Sequence, residues 1–237
     1  MKILVFQHAA AEHPGSFREF MDADGVQWDA VELDEGEAIP DLAPYDALMV
    51  FGGPMDVWQE QAHPWLIAEK RAIRDWVRAG RPYLGICFGH QLLADALGGT
   101  VGLMAMPEVG VRDVALTPAG AASPLFAGMA PRFPTLQWHG AAVIAPPEGA
   151  VVLADNAHCQ YHVELTEETV PEWGVIDEYR CALESLTGEG GQAILEQDVA
   201  HLLPLFKAEA ERLYRNFRAV VDAHRALRSA SSTAIPG

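Results

Sequence analysis

Apolar and polar positions along the first hundred residues fall into blocks that switch between a strand-like and a helix-like pattern. Ile3 to Gln7, Val26 to Leu33 and Asp46 to Phe51 are short runs rich in apolar residues and bounded by turn formers, the pattern of strands buried in a parallel sheet. Pro14 to Met21 predicts a helix, with Pro14 and Ser16 suited to its first turn. Pro64 to Ala79 predicts an amphipathic one: Trp65, Ile67, Ala68, Ile73, Trp76 and Val77 are apolar, charges lie between them, and Gly80 stops it. A further apolar strand begins at Pro82 and turns at Gly85, and a helix is expected from about Phe88 to Leu97. The order strand, helix, strand, strand, helix, strand, helix is that of a doubly wound α/β sheet.

After Gly98-Gly99 the pattern changes. Thr100 to Leu103, Val109 to Leu116, Phe133 to Trp138, Ala141 to Ile144 and Val151 to Leu153 are short runs separated by Pro and Gly, and they predict antiparallel additions. Pro171 to Leu186 and Gln192 to Leu227 read as helices, and Ser229 to Gly237 as a frayed tail. The chain shows no internal repeat and no dividing linker, and 237 residues suffice for one large domain.

Composition narrows the function. A net charge of -17 argues against a nucleic-acid partner, which needs clustered Lys and Arg to displace counterions. The N-terminal apolar run is short for a signal peptide, and no segment reaches the length of a membrane span. Three cysteines, Cys87, Cys159 and Cys181, form no disulfide framework, so a reducing cytoplasm is the expected compartment.

The chemistry centres on Gly85-Ile86-Cys87-Phe88-Gly89, where an apolar strand meets a helix through Gly-x-nucleophile-x-Gly, the pattern of a nucleophile elbow. A cysteine packed in a core would need neither glycine. An elbow needs both, because neighbouring chain passes where a Cβ would lie. The helix that follows directs its N-terminal amides at the sulfur, favouring thiolate and offering donors to an oxyanion. Gly52-Gly53-Pro54 follows the third strand, so it leaves the same edge of the sheet and offers a free amide there. In Gln160-Tyr161-His162-Val163-Glu164, His162 and Glu164 share a face if the chain is extended, so the carboxylate orients the imidazole. His158, Cys159 and His162 admit a metal-site reading, without a complete ligand set.

Phe51-Gly52-Gly53-Pro54-Met55, Gly85 to Ala94 and Gln160 to Glu164 together resemble the class I glutamine amidotransferases, in particular stand-alone proteins similar to the amidotransferase domain of GMP synthase. The likeness covers roughly residues 1–187, leaving 188–237 as a helical extension packed on the same domain. It implies a flavodoxin-like, mostly parallel sheet and a Cys-His-Glu triad that hydrolyses the side-chain amide of glutamine and passes ammonia to a synthetase, with no cofactor. By the resemblance Cys87 is the nucleophile, His162 the base and Glu164 its orienter. The Gly53 and Phe88 amides form the oxyanion hole, Gln91 helps hold the substrate, and Trp138 and His139 lie in the segment that meets its amino-acid end. Val163 stands where the family usually has proline, and the run from Leu153 to Gln160 is shorter than usual. A one-residue slip there would turn His162 to the other face. Two other functions share these residues: a γ-glutamyl peptide hydrolase with the same triad, and a catalytically silent binding protein on the same fold.

Overall fold

The computed structural model describes residues 1–155 and 160–233. Four parallel strands, β1 (Lys2–Gln7), β2 (Gln27–Glu32), β3 (Ala47–Val50) and β4 (Tyr83–Gly85), lie in the order β2-β1-β3-β4. Side chains alternate across such a sheet. Ile3 and Val5 therefore pack with α1 (Phe17–Ala23) through Phe17 and Met21, and Leu4 and Phe6 pack with α2 (Trp65–Arg78) through Leu66, Ile73 and Trp76. The helix α3 (Phe88–Ala96) adds Phe88 and Leu92 to this second core. All four strands end at one rim, so the loops after β1, β3 and β4 meet there.

The expected short runs join into longer elements. Thr100 to Leu103 and Val109 to Leu116 are one strand, β5 (Thr100–Leu116), whose register shifts between Leu103 and Glu108. Pro107, which cannot donate to a ladder, sits in that irregularity and gives the sequence its appearance of a break. Phe133 to Trp138 and Ala141 to Ile144 likewise join as β6 (Arg132–Ala145), past the short helix α4 (Pro118–Ala121). Val151 to Leu153 is not a strand; pairing begins with β7 (Ala154–Asp155), and the second sheet is antiparallel in the order β6-β5-β7.

Three helices complete the chain: α5 (Thr169–Gly174), α6 (Asp177–Thr187) and α7 (Gly191–Thr233). The last packs on α1, α5, α6, β5 and β6. It stays helical through Ser229 to Thr233, a stretch whose composition predicts fraying, with Ser229 Oγ donating to the Arg225 carbonyl at 3.0 Å. Among the described residues no helix is long and apolar enough to cross a membrane.

Candidate active site

The loops after β3 and β4 are locked together by backbone hydrogen bonds, Ile86 N to Val50 O at 2.9 Å and Gly89 N to Phe51 O at 3.1 Å. That approach leaves no room for side chains. A Cβ on Gly89 would lie 2.0 Å from the Val50 carbonyl oxygen, and one on Gly85 2.6 Å from the Gly89 carbonyl. Between them Cys87 has φ 50° and is the N-cap of α3; among the described residues it is the sole non-glycine with positive φ. Such a conformation costs on the order of 1–3 kcal/mol and persists where the surroundings impose it. Cys87 is buried, with its sulfur 4.0 Å from the Trp138 carbonyl oxygen.

His162 reaches the site through an isolated antiparallel bridge to Leu136 of β6, with bonds of 2.9 and 3.1 Å that fix its register. Its Nδ1 lies 2.6 Å from Glu164 Oε1, while Glu164 Oε2 accepts the Val163 amide at 2.9 Å. The Trp173 ring meets the same ring edge-on at 4.7 Å. Burial by itself would lower the His162 pKa. The Glu164 charge and the Cys87 side chain outweigh it and hold the ring well above the usual histidine range.

Gly53 packs against Phe88, whose ring would be 3.2 Å from a Cβ there. As first residue of α3, Phe88 has an amide with no intrahelical acceptor. Gln91 lies one turn further on, and its amide nitrogen is 3.1 Å from both the Ala141 carbonyl and Gln160 Oε1, so it ties α3 to β6. Trp138 donates its indole N–H to the Tyr179 carbonyl at 3.1 Å. His139 is directed to Gln137 at 3.1 Å and Glu108 at 3.4 Å. An apolar cavity of about 360 Å³ is lined by Tyr83, Ile86, Cys87, His90 and Tyr161 among others. His158 and Cys159 lie outside the described residues.

Several site residues are not apparent in the sequence. Glu12 is buried, accepts the Tyr179 hydroxyl, and lies where a Gly52 Cβ would stand. Burial raises its pKa, partly offset by the His162 charge. Trp173, from α5, meets the His162 ring edge-on and in turn packs edge-to-face with Tyr179 of α6. His8, at the carboxyl end of β1, and Glu69, on α2, form a second buried pair at 2.9 Å. The one available signal is positional: ligands in open α/β sheets gather at the carboxyl ends of strands, where His8 sits.

The pattern of glutamine amidotransferase class-I matches residues 17–175 of the chain. A GMP synthase (glutamine-hydrolyzing) from Aeropyrum pernix is 39% identical over 126 residues, which are 53% of this chain and 22% of that protein. A GMP synthase (glutamine-hydrolyzing) subunit from Sulfurisphaera tokodaii is 30% identical over 139 residues, 59% of this chain and 70% of that protein. The crystal structure of a glutamine amidotransferase from Thermotoga maritima superposes with a TM-score of 0.81 at 22% identity, covering 92% of this chain and 97% of that one.

Proposed function

The chain belongs to the class-I glutamine amidotransferases, and from that premise we propose that it hydrolyses the side-chain amide of glutamine through a Cys87 thioester and supplies ammonia to a separate synthetase. The observations that carry this reading are the strained backbone at Cys87, whose side chain raises the His162 pKa, and the 2.6 Å contact from His162 Nδ1 to Glu164. His162 takes the thiol proton, and the thiolate attacks the amide carbon. The oxygen of the tetrahedral intermediate is received by the Gly53 and Phe88 amides. His162 then protonates the departing ammonia, and water hydrolyses the thioester to glutamate and free thiol. Glu164 fixes the ring and supports its charge. Gln91 serves by holding β6 against α3, so that the backbone from Trp138 to His139 borders the substrate. No step requires a cofactor.

The separate acceptor is supported by the Sulfurisphaera relative, which is itself one subunit of its synthase and of which this chain covers 70%. The test is a glutaminase assay on the pure chain and three variants. Cys87→Ala and His162→Ala are expected to abolish turnover, and Glu164→Ala to leave a measurable residue, because an orienter contributes less than nucleophile or base. A silent His162→Ala, or equal damage at Glu164 and Cys87, would overturn these roles. A partner from the native source is expected to raise the rate by roughly a hundredfold, an improvement of about 3 kcal/mol in transition-state stabilisation. Full activity of the lone chain on γ-glutamyl peptides, with no preference for free glutamine, would replace the amidotransferase reading with the peptide hydrolase.

A further inference from the structure

We infer that His8, held by Glu69, is a positioning residue that fixes the orientation of the Gly52–Gly53 peptide. This rests on the reading that the Gly53 N–H receives the oxyanion. The ring of His8 is buried, stacked on Trp65 at 5.5 Å and met edge-on by Phe88 at 5.0 Å, so it has one orientation. In that orientation Nδ1 is 2.8 Å from the Gly52 carbonyl oxygen and Nε2 is 2.9 Å from Glu69 Oε1.

Both ring nitrogens therefore face oxygen. A neutral imidazole beside a carboxylate would set a lone pair against one of those oxygens. Two protonation patterns avoid this: an imidazolium beside the Glu69 carboxylate, or a neutral ring whose Nε2 accepts from a protonated Glu69. In both, Nδ1 carries a hydrogen and donates it to Gly52. Glu69 on α2, Glu12 in the loop after β1 and Glu32 at the end of β2 are the charged groups facing His8. Burial lowers the His8 pKa, yet Glu69 and the Gly52 carbonyl more than offset it, and the net direction is upward.

A trans peptide is planar, so its C=O and N–H point in opposite directions. Anchoring the Gly52 oxygen on His8 thus turns the Gly53 N–H away from His8. The peptide's own torsions are permissive, because both residues are glycine. They have to be: a Cβ on Gly52 would meet the Glu12 carboxylate at 2.1 Å, and one on Gly53 would meet Met55 Sδ at 2.7 Å. Close packing removes the side chains that would stiffen this turn, and the His8 hydrogen bond supplies the missing constraint.

The test compares His8→Leu, which removes the donor, with His8→Asn, whose amide nitrogen can take the place of Nδ1. His8→Leu is expected to lower kcat for glutamine by about a hundredfold, the scale of losing one oxyanion donor, with KM changed by less than about threefold. His8→Asn is expected to recover most of that loss. Alkylation of Cys87 by iodoacetamide displaces iodide and builds no oxyanion, so its rate should stay within about threefold throughout. Equal loss in both variants, or alkylation falling together with kcat, would assign His8 a merely structural role. Should His8→Leu fail to fold with Glu69 left unpaired, His8→Leu/Glu69→Leu takes its place. Crystal structures read the peptide without reference to activity. A Gly52–Gly53 peptide turned over or doubled in the Leu variant supports the inference, and a single unchanged orientation overturns it. If the wild-type chain hydrolyses no amide while the peptide turns in the variant, the functional reading falls and the positioning role stands.

Discussion

Replacing Gly89 with alanine would place a methyl group 2.0 Å from the Val50 carbonyl oxygen and 2.6 Å from its carbon. Both atoms belong to the backbone of a central strand, so no side chain can swing aside. To reach the 3.4 Å at which ordinary contact begins, α3 would have to move about 1.4 Å from β3. Overpacking of this kind costs roughly 1–3 kcal/mol. The same movement stretches the Gly89–Phe51 and Ile86–Val50 hydrogen bonds, each worth about 1 kcal/mol. The sum is about 3–5 kcal/mol, which for a chain of this size lowers Tm by roughly 10 °C. The displaced elbow carries Cys87 with it, and a misplacement of about 1 Å costs on the order of a hundredfold in rate. Thermal melts followed by circular dichroism, with glutaminase rates measured well below the transition, read both effects. Gly140→Ala is the control for stability, because a Cβ there meets nothing within 4 Å. A Gly89→Ala protein that melts within about 2 °C of wild type would refute the argument that close backbone approach imposes this glycine.

The remaining predictions concern acid stability and thiol selectivity. Burial pushes the His90 pKa down to about 4, with Nδ1 enclosed and unpartnered among the described residues. The unfolded chain takes up this proton near pH 6.5 and the folded one does not, so stability falls as pH drops through that window, by about 2–3 kcal/mol between roughly pH 7.5 and 4.5. His8 and His162, whose pKa values are raised, contribute the opposite trend, being stabilising at low pH and losing that contribution as pH rises. Urea titrations of wild type and His90→Leu should therefore diverge on the acid side; parallel acid limbs would refute the assignment. Cys181 is exposed on α6 and Cys87 is buried, so a small maleimide should modify Cys181 first and a glutamine-shaped electrophile should reverse the order. Peptide mapping by mass spectrometry decides this, and equal labelling of both thiols by the glutamine-shaped reagent would contradict the elbow as a binding site.

The elements that position the site are legible where a local pattern has a single physical cause. The apolar run at Ala47–Val50 can only be a buried strand, and the glycines at 85 and 89 mark a close approach that the structure contains. The two-residue spacing of His162 and Glu164 puts them on one face, and they meet at 2.6 Å. Longer-range facts leave weaker traces. Ile67 fits the apolar face of α2 by spacing, yet it is exposed, and the buried set is Leu66, Glu69, Ile73 and Trp76. Glu69 is hidden among charged neighbours, and its burial depends on His8, 61 positions away. Glu12 depends on Tyr179 in the same way, and no periodicity links two residues that meet only in the folded chain.

The loop between β1 and α1 has a consequence in time. It supplies His8 to the Gly52 carbonyl, Glu12 to Tyr179, and the Ser16 amide to the Glu164 carbonyl at 2.7 Å, while Gly15 lies so close to that carbonyl that a Cβ would be 1.8 Å from it. The earliest-made loop is thus completed by some of the later-made helices. Glu12 and Tyr179 are 167 residues apart in the chain, and at about 5–20 residues per second a ribosome takes roughly 10–30 s to pass from one to the other. In the later part of that interval, once Gly89 has been made, the β1 to β4 sheet and the Cys87 elbow have what they need to form, whereas α6 with its Tyr179 has not yet been made. A growing chain therefore carries the bent Cys87 backbone before it carries the residues that tie the first loop to the later helices.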